Sequence, residues 1–143
     1  MKIILSACLA GENCKYNGGN NHNEKLMEAL RDHQVIKVCP EVMGGLPTPR
    51  IPSEITGGRV MNRAGEDVDG NFRLGARLAL EKAREAGCDL AVLQPRSPSC
   101  GCGQIYDGSF SGVLVPGNGI FADLLKKNGL TCMTPEDFLQ LNI

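Results

Sequence analysis

Short apolar runs that stop at a cysteine recur along this chain, and the repetition limits what it can fold into. Lys2 to Ala7 precedes Cys8, Val35 to Val38 precedes Cys39, and Asp89 to Leu93 leads into the loop that carries Cys100. Each run has the length of one buried strand, and the segments between them show helical spacing of apolar residues. Asn23 stands where a helix N-cap belongs, ahead of Leu26, Met27 and Leu30 on one face, with the helix ending near His33. From about Gly70 to Ala86 runs the longest helical pattern, stopped by Gly87. Asn118 to Asn128 predicts another helix and Leu130 to Met133 a fourth strand, while Thr134-Pro135-Glu136 opens a last helix. Strands alternating with helices predict a mostly parallel sheet covered on both faces. Gly58 to Val68 predicts a small hairpin turning at Ala64-Gly65, and Glu41 to Pro52 a long irregular loop of the kind that is usually functional. The chain shows no internal repeat, linker or low-complexity tract, so one domain is expected.

The loop Ser97-Pro98-Ser99-Cys100-Gly101-Cys102-Gly103 is the most unusual stretch. Pro95 and Pro98 fix φ and remove N–H donors, whereas Gly101 and Gly103 free the backbone to turn. The loop is expected to be stiff before Cys100, tightly turned after it, and open to a ligand approaching the main chain. In open α/β sheets ligands sit outside the carboxyl ends of the strands. Cys8 and Cys39 end strands in the same way, so the three thiols are expected to meet there.

Charge narrows the choice of partner. Fifteen basic and sixteen acidic side chains leave a net charge of -1, without the basic stripe that nucleic acid demands. Aromatics are 4% with no Trp, which also argues against a base-stacking platform for single strands. Leu5-Ser6-Ala7-Cys8 has the look of a lipoprotein cleavage box, but only Ile3, Ile4 and Leu5 form an uninterrupted apolar run before Ser6. A signal peptide wants about 7–15 apolar residues, and no run approaches the ~20 of a membrane span. A cytoplasmic location without membrane association is expected, where thiols stay reduced and a cluster of them points to metal or catalysis rather than disulfides. Of the seven cysteines, Cys88 and Cys132 read as small buried hydrophobes.

Three thiolates from three separate loops suit an iron–sulfur cluster better than the alternatives. Structural zinc sites usually carry four ligands in local Cys-x2-4-Cys pairs, and the thioredoxin-type Cys-x-x-Cys is absent. A cluster held by only three thiolates leaves one iron open, a Lewis acid with affinity for a soft donor such as sulfur. Cys14 and Cys102 are rival ligands. Arg50, between prolines of a rigid loop, has three uses open to it: to fork onto a carbonyl-bearing substrate, to offset the charge of a thiolate-ligated cluster, or to pair with an acid such as Glu54. Asp107 reads as a turn former, and Gly117-Asn118-Gly119 offers a helix start to an anion.

Several blocks resemble a widespread bacterial domain family that includes the thiouracil desulfidases. They are Cys8-Leu9-x-Gly11…Tyr16-x-Gly18, Cys39-Pro40-Glu41-x-x-Gly44-Gly45-Leu46-Pro47-x-Pro49-Arg50, Ser97-Pro98-Ser99-Cys100-Gly101 and Tyr106-Asp107-Gly108-x-Phe110. The resemblance spans nearly the whole chain. It implies a single-domain, Rossmann-like three-layer α/β/α fold over residues 1–143 with a four- to five-stranded sheet. It implies a [4Fe-4S] cluster on Cys8, Cys39 and Cys100 with one open iron, prone to loss in air. The implied reaction is non-redox C–S cleavage: water replaces the thione sulfur of a small thiolated pyrimidine and hydrogen sulfide leaves. Glu41 is then the acid/base, Ser99 positions substrate or water, Arg50 and Ser97 contact substrate, and an iron–sulfur assembly protein is the expected donor of the cluster. Lys15-Tyr16-Asn17 and Gln94-Pro95 depart from the family's pattern at the rim of the site and leave the substrate's identity open. The alternative is a non-catalytic iron–sulfur, metal or sulfur carrier. A thiol-only protein cycling Cys100 and Cys102 is a further one.

Overall fold

The computed structural model describes residues 1–141. Its centre is a four-stranded parallel sheet in the order β2-β1-β5-β8, formed by β1 (Lys2–Ser6), β2 (Gln34–Val38), β5 (Leu90–Val92) and β8 (Thr131–Met133). Ile3 pairs with Val35 on one side and Leu90 on the other, which places β1 in the middle, buried on both faces. The period of two along the strands sorts the core into two halves. Ile3, Leu5, Leu90 and Val92 face α1 (Glu24–Ala29) and α5 (Pro135–Leu139), packing with Leu26, Leu30 and Phe138. Ile4, Ala91 and Val38 face α3 (Asp69–Ala86) and α4 (Ile120–Lys127), packing with Phe72, Ala79 and Phe121. The expected three-layer α/β/α arrangement follows directly from this alternation.

The helix ends are built as the sequence suggests. Asn23 accepts the Leu26 amide and Thr134 accepts the Asp137 amide through their side chains, both at the N-cap. Gly87 closes α3 in the left-handed conformation, φ 71°.

Three features differ from expectation. The hairpin is β3 (Ser53–Thr56) with β4 (Arg59–Asn62), turning at Gly57-Gly58 rather than at Ala64-Gly65. Both central glycines have positive φ, as tight two-residue hairpin turns require. Ala64-Gly65 instead makes a separate turn folded onto the Asn62 side chain. The start of the expected irregular segment forms a single-turn helix, α2 (Pro40–Met43), with Pro40 at its first position and Cys39 as N-cap. A second hairpin, β6 (Gln104–Tyr106) with β7 (Leu114–Pro116), encloses the turn begun by Asp107. Among the described residues, no helix is long and apolar enough to cross a membrane.

Candidate active site

The carboxyl ends of β1, β2 and β5 open into one cavity of about 660 Å³, within the usual range for small-molecule sites. Cys8 reaches it from a 3-10 turn directly after β1, Cys39 from the N-cap of α2, and Cys100 from the loop after β5. Cys14 lines the same cavity, whereas Cys102 lies outside it, its thiol donating to the Cys132 carbonyl at 3.3 Å. Cys100 and Cys102 therefore have different surroundings despite their adjacency in sequence.

The four thiols are tuned differently. Burial pushes Cys8 up, opposed by the Asn21 amide, which donates to its sulfur at 3.5 Å. Burial raises Cys100 more strongly, against the Ser6 and Ser99 hydroxyls beside it. Hydrogen bonding from the Cys14 thiol holds Cys39 down, to about 7, and the same contact raises Cys14. As a neutral thiol Cys39 donates to the Cys14 carbonyl at 3.8 Å.

Glu41 sits one residue into α2 and is held on both oxygens. Arg50 Nε donates to Oε1 at 3.0 Å and Ser99 Oγ donates to Oε2 at 2.9 Å. The ion pair is enclosed, with 7% of the Arg50 side chain and 15% of the Glu41 side chain exposed. Three further donors of Arg50 are spent on the chain itself: one of Nη2 on the Cys14 carbonyl at 2.8 Å, and those of Nη1 on the Pro47 carbonyl and Thr48 Oγ1. Its acid partner is Glu41 rather than Glu54. Ser97 Oγ accepts the amides of Ser99 and Cys100, both at 3.1 Å, and contacts Ser99 Oγ at 2.9 Å. That hydroxyl shapes the loop on which Ser99 and Cys100 stand.

Two close backbone contacts fix these side chains. A Cβ at Gly75 of α3 would lie 1.7 Å from the Pro40 carbonyl oxygen, so α2 can seat against α3 only at a glycine. A Cβ at Gly119 would lie 2.5 Å from the Ser99 carbonyl. There the loop carbonyls accept the first amides of α4: Ile120 donates to Pro98, and Phe121 and Ala122 donate to Ser99. The amides of Gly117 and Gly119 are likewise taken, by the Gly103 and Gly101 carbonyls, so the loop itself uses the donors that this helix start would turn to an anion.

Sequence reading missed Ser6 and Asn21, and it gave no place in the site to Glu54, named only as a partner for Arg50, or to Phe110, quoted only within a family block. Ser6 and Asn21 meet sulfurs far away in the chain, and no local pattern announces such contacts. Among the described residues, no buried side-chain nitrogen or oxygen lacks a hydrogen-bond partner, so the polar groups of the cavity are already organised.

The donor set fits a thiolate-bound cluster. It consists of soft sulfurs gathered from separate loops in one cavity. Among the described residues, no three His, Cys, Asp or Glu side chains are arranged to hold a single metal ion, whereas a polynuclear cluster takes each thiolate on a different iron.

Comparison with known proteins agrees with this chemistry. The model of a family described as 2-thiouracil desulfurase matches residues 3–137. A Bacillus subtilis (strain 168) protein, uncharacterized protein YbbK, is 39% identical over 137 residues, covering 89% of this chain and 91% of its own. A solved structure of the [4Fe-4S]-dependent thiouracil desulfidase TudS superposes with a TM-score of 0.92 at 40% identity, covering 98% of this chain and 94% of that one.

Proposed function

Because this chain belongs to the 2-thiouracil desulfurase family, we propose that it is a [4Fe-4S]-dependent desulfidase that hydrolyses the C–S bond of a small thiolated pyrimidine. The observation that carries this reading is the meeting of Cys8, Cys39 and Cys100 with the Ser99–Glu41–Arg50 chain in one cavity. Thione and water become carbonyl and hydrogen sulfide, so no electrons are gained or lost and no redox partner is needed. The work is done by one domain in the cytoplasm, after a cluster donor has loaded it.

Cys8, Cys39 and Cys100 hold the cluster. When bound with one iron free of protein ligands, it supplies a Lewis acid with affinity for the thione sulfur. Cys14 is the reserve thiol and acts on the ligand Cys39 through the contact already described. Glu41 keeps lone pairs unused by Arg50 and Ser99; with them it takes the proton of the attacking water and returns one to the departing sulfur. Arg50 fixes the carboxylate's orientation through its Nε hydrogen bond to Oε1. Ser99 Oγ, bridging Glu41 and the loop of Cys100, positions the water against the carbon that bears sulfur. Ser97 serves the same step by holding the Ser99 hydroxyl.

The test is anaerobic reconstitution with iron and sulfide, followed by absorbance in the thiolate-to-iron charge-transfer region and sulfide release from 2-thiouracil. Cys100→Ala should lose the cluster band. Glu41→Gln should keep it while turnover falls about 10²–10⁴-fold, the usual worth of a general acid–base. A cluster indifferent to Cys100→Ala would overturn the ligand assignment. Full turnover in Glu41→Gln would remove Glu41 from the chemistry, and a loaded protein without any turnover would favour the carrier.

A further inference from the structure

Phe110 stands apart from the other phenylalanines. Phe72, Phe121 and Phe138 are buried in the core, whereas Phe110 is half-buried, belongs to neither core cluster and lines the cavity. Its φ is 58°, a conformation that bulky residues rarely adopt and that persists only where the surroundings enforce it.

The enforcement comes from β3 and β4. Glu54 Oε1 accepts the amides of Gly108 at 3.0 Å and of Phe110 at 3.1 Å, pinning the hairpin tip between β6 and β7. Gly108 lies so close to β3 that a Cβ there would be 2.6 Å from the Ile55 carbonyl oxygen. Beyond β4, the Arg63 guanidinium carbon sits 5.6 Å from the Phe110 ring centroid, a cation–π contact on one face. Arg63 and Glu54 line the cavity too. An apolar ring is thus held in an unfavourable backbone state without being used to fill the core. Strain of this kind gathers where a ligand is gripped.

We propose that Phe110 is the surface on which the flat ring of the substrate stacks, and that Glu54 and Arg63 are positioning residues that hold it there. The identity of that ring as a thiolated pyrimidine rests on the desulfidase reading. A conjugated six-membered ring offers a broad π face to stack, and an acyclic thioamide only its small N–C–S plane, so Phe110 selects heterocycles over simple thioureas.

The experiment measures the dissociation constant of 2-thiouracil by equilibrium dialysis against the cluster-loaded protein, beside KM and kcat from sulfide release. Phe110→Leu should raise Kd and KM about tenfold, in the range known for loss of a base–aromatic stack, with kcat much less affected. Phe110→Tyr should behave like wild type. Glu54→Ala should reproduce the weakening, and Glu54→Gln, whose amide oxygen still accepts both N–H groups, should restore tight binding. Thiourea should bind wild type and Phe110→Leu alike. Equal Kd for 2-thiouracil in wild type and Phe110→Leu overturns the stack while leaving the desulfidase reading intact if sulfide is still released. If wild type binds the base but releases no sulfide, that reading falls and the dialysis still decides the stack; no binding to wild type overturns both.

Discussion

Replacing Arg50 by Met should destabilise the protein severely, and the reason can be worked from the site. The Arg50 side chain is 7% exposed and that of Glu41 15%, so the substitution strands a carboxylate that bulk solvent screens little. Removing one partner of a buried pair costs about 3–5 kcal/mol. The Cys14 carbonyl, 2.8 Å from Arg50 Nη2, also loses its shorter hydrogen bond and keeps only the Cys39 thiol at 3.8 Å. For a domain of 143 residues, about 4 °C of melting temperature corresponds to each kcal/mol, so the loss should be about 12–20 °C. The companion variant Arg50→Met/Glu41→Gln removes both charges and should recover a large part of it, because deleting a whole pair is far milder than halving one. Far-UV circular dichroism melts of the reduced, cluster-free protein provide the assay. A melting temperature within about 3 °C of wild type for Arg50→Met, or a double variant no more stable than the single one, would show that the pair is not desolvated and refute the argument.

Alkylation should single out one thiol. At pH 7 Cys39, held down to about 7, is about half thiolate against about 1% for an unperturbed cysteine; allowing for its lower nucleophilicity, its net advantage is about five- to eightfold. Brief iodoacetamide treatment of the cluster-free protein with peptide mapping should therefore label Cys39 before Cys8, Cys14 and Cys100. Labelling should fade as pH falls through 7 and slow in Cys14→Ala; a Cys39 rate equal to that of Cys8 would contradict it. Gly75→Ala should push α2 away from α3, because the new methyl would overlap the Pro40 carbonyl oxygen at 1.7 Å. The expected cost is about 1–3 kcal/mol, with loss of turnover because Glu41 adjoins Pro40; an unchanged melt and unchanged sulfide release would refute the claim.

The parallel sheet was legible because its strands are short apolar runs with abrupt ends. The caps at Asn23 and Thr134 were legible because Asn and Thr at a helix start have a local mechanism. Hairpin β3–β4 was misplaced by reading Ala64-Gly65 as the turn when the adjacent Gly57-Gly58 pair accommodates two positive φ values more easily. Hairpin β6–β7 escaped notice because its strands have three residues each and one ends in Pro116. The convergence of Cys8, Cys39 and Cys100 followed from one rule about strand ends. The partner of Arg50 did not, since choosing Glu41 over Glu54 depends on how α2 lies against α3. Nor did the contact of the Cys14 and Cys39 thiols, or the direction of the Phe110 ring, which a turn motif leaves undetermined.

The two hairpins lie side by side, β3 against β6, as a collar attached to the parallel sheet but not woven into it. The thiols, Glu41 and Ser99 stand on the sheet's side of the opening, while Phe110, Arg63 and Glu54 stand on the collar. Lineages descended from such a protein can therefore exchange the collar and alter which molecules enter, with the reactive floor inherited intact. Diversity of diet among these proteins should accordingly be written in residues 53–63 and 104–116, and in the rim at 15–17 and 94–95, rather than in the cysteines themselves.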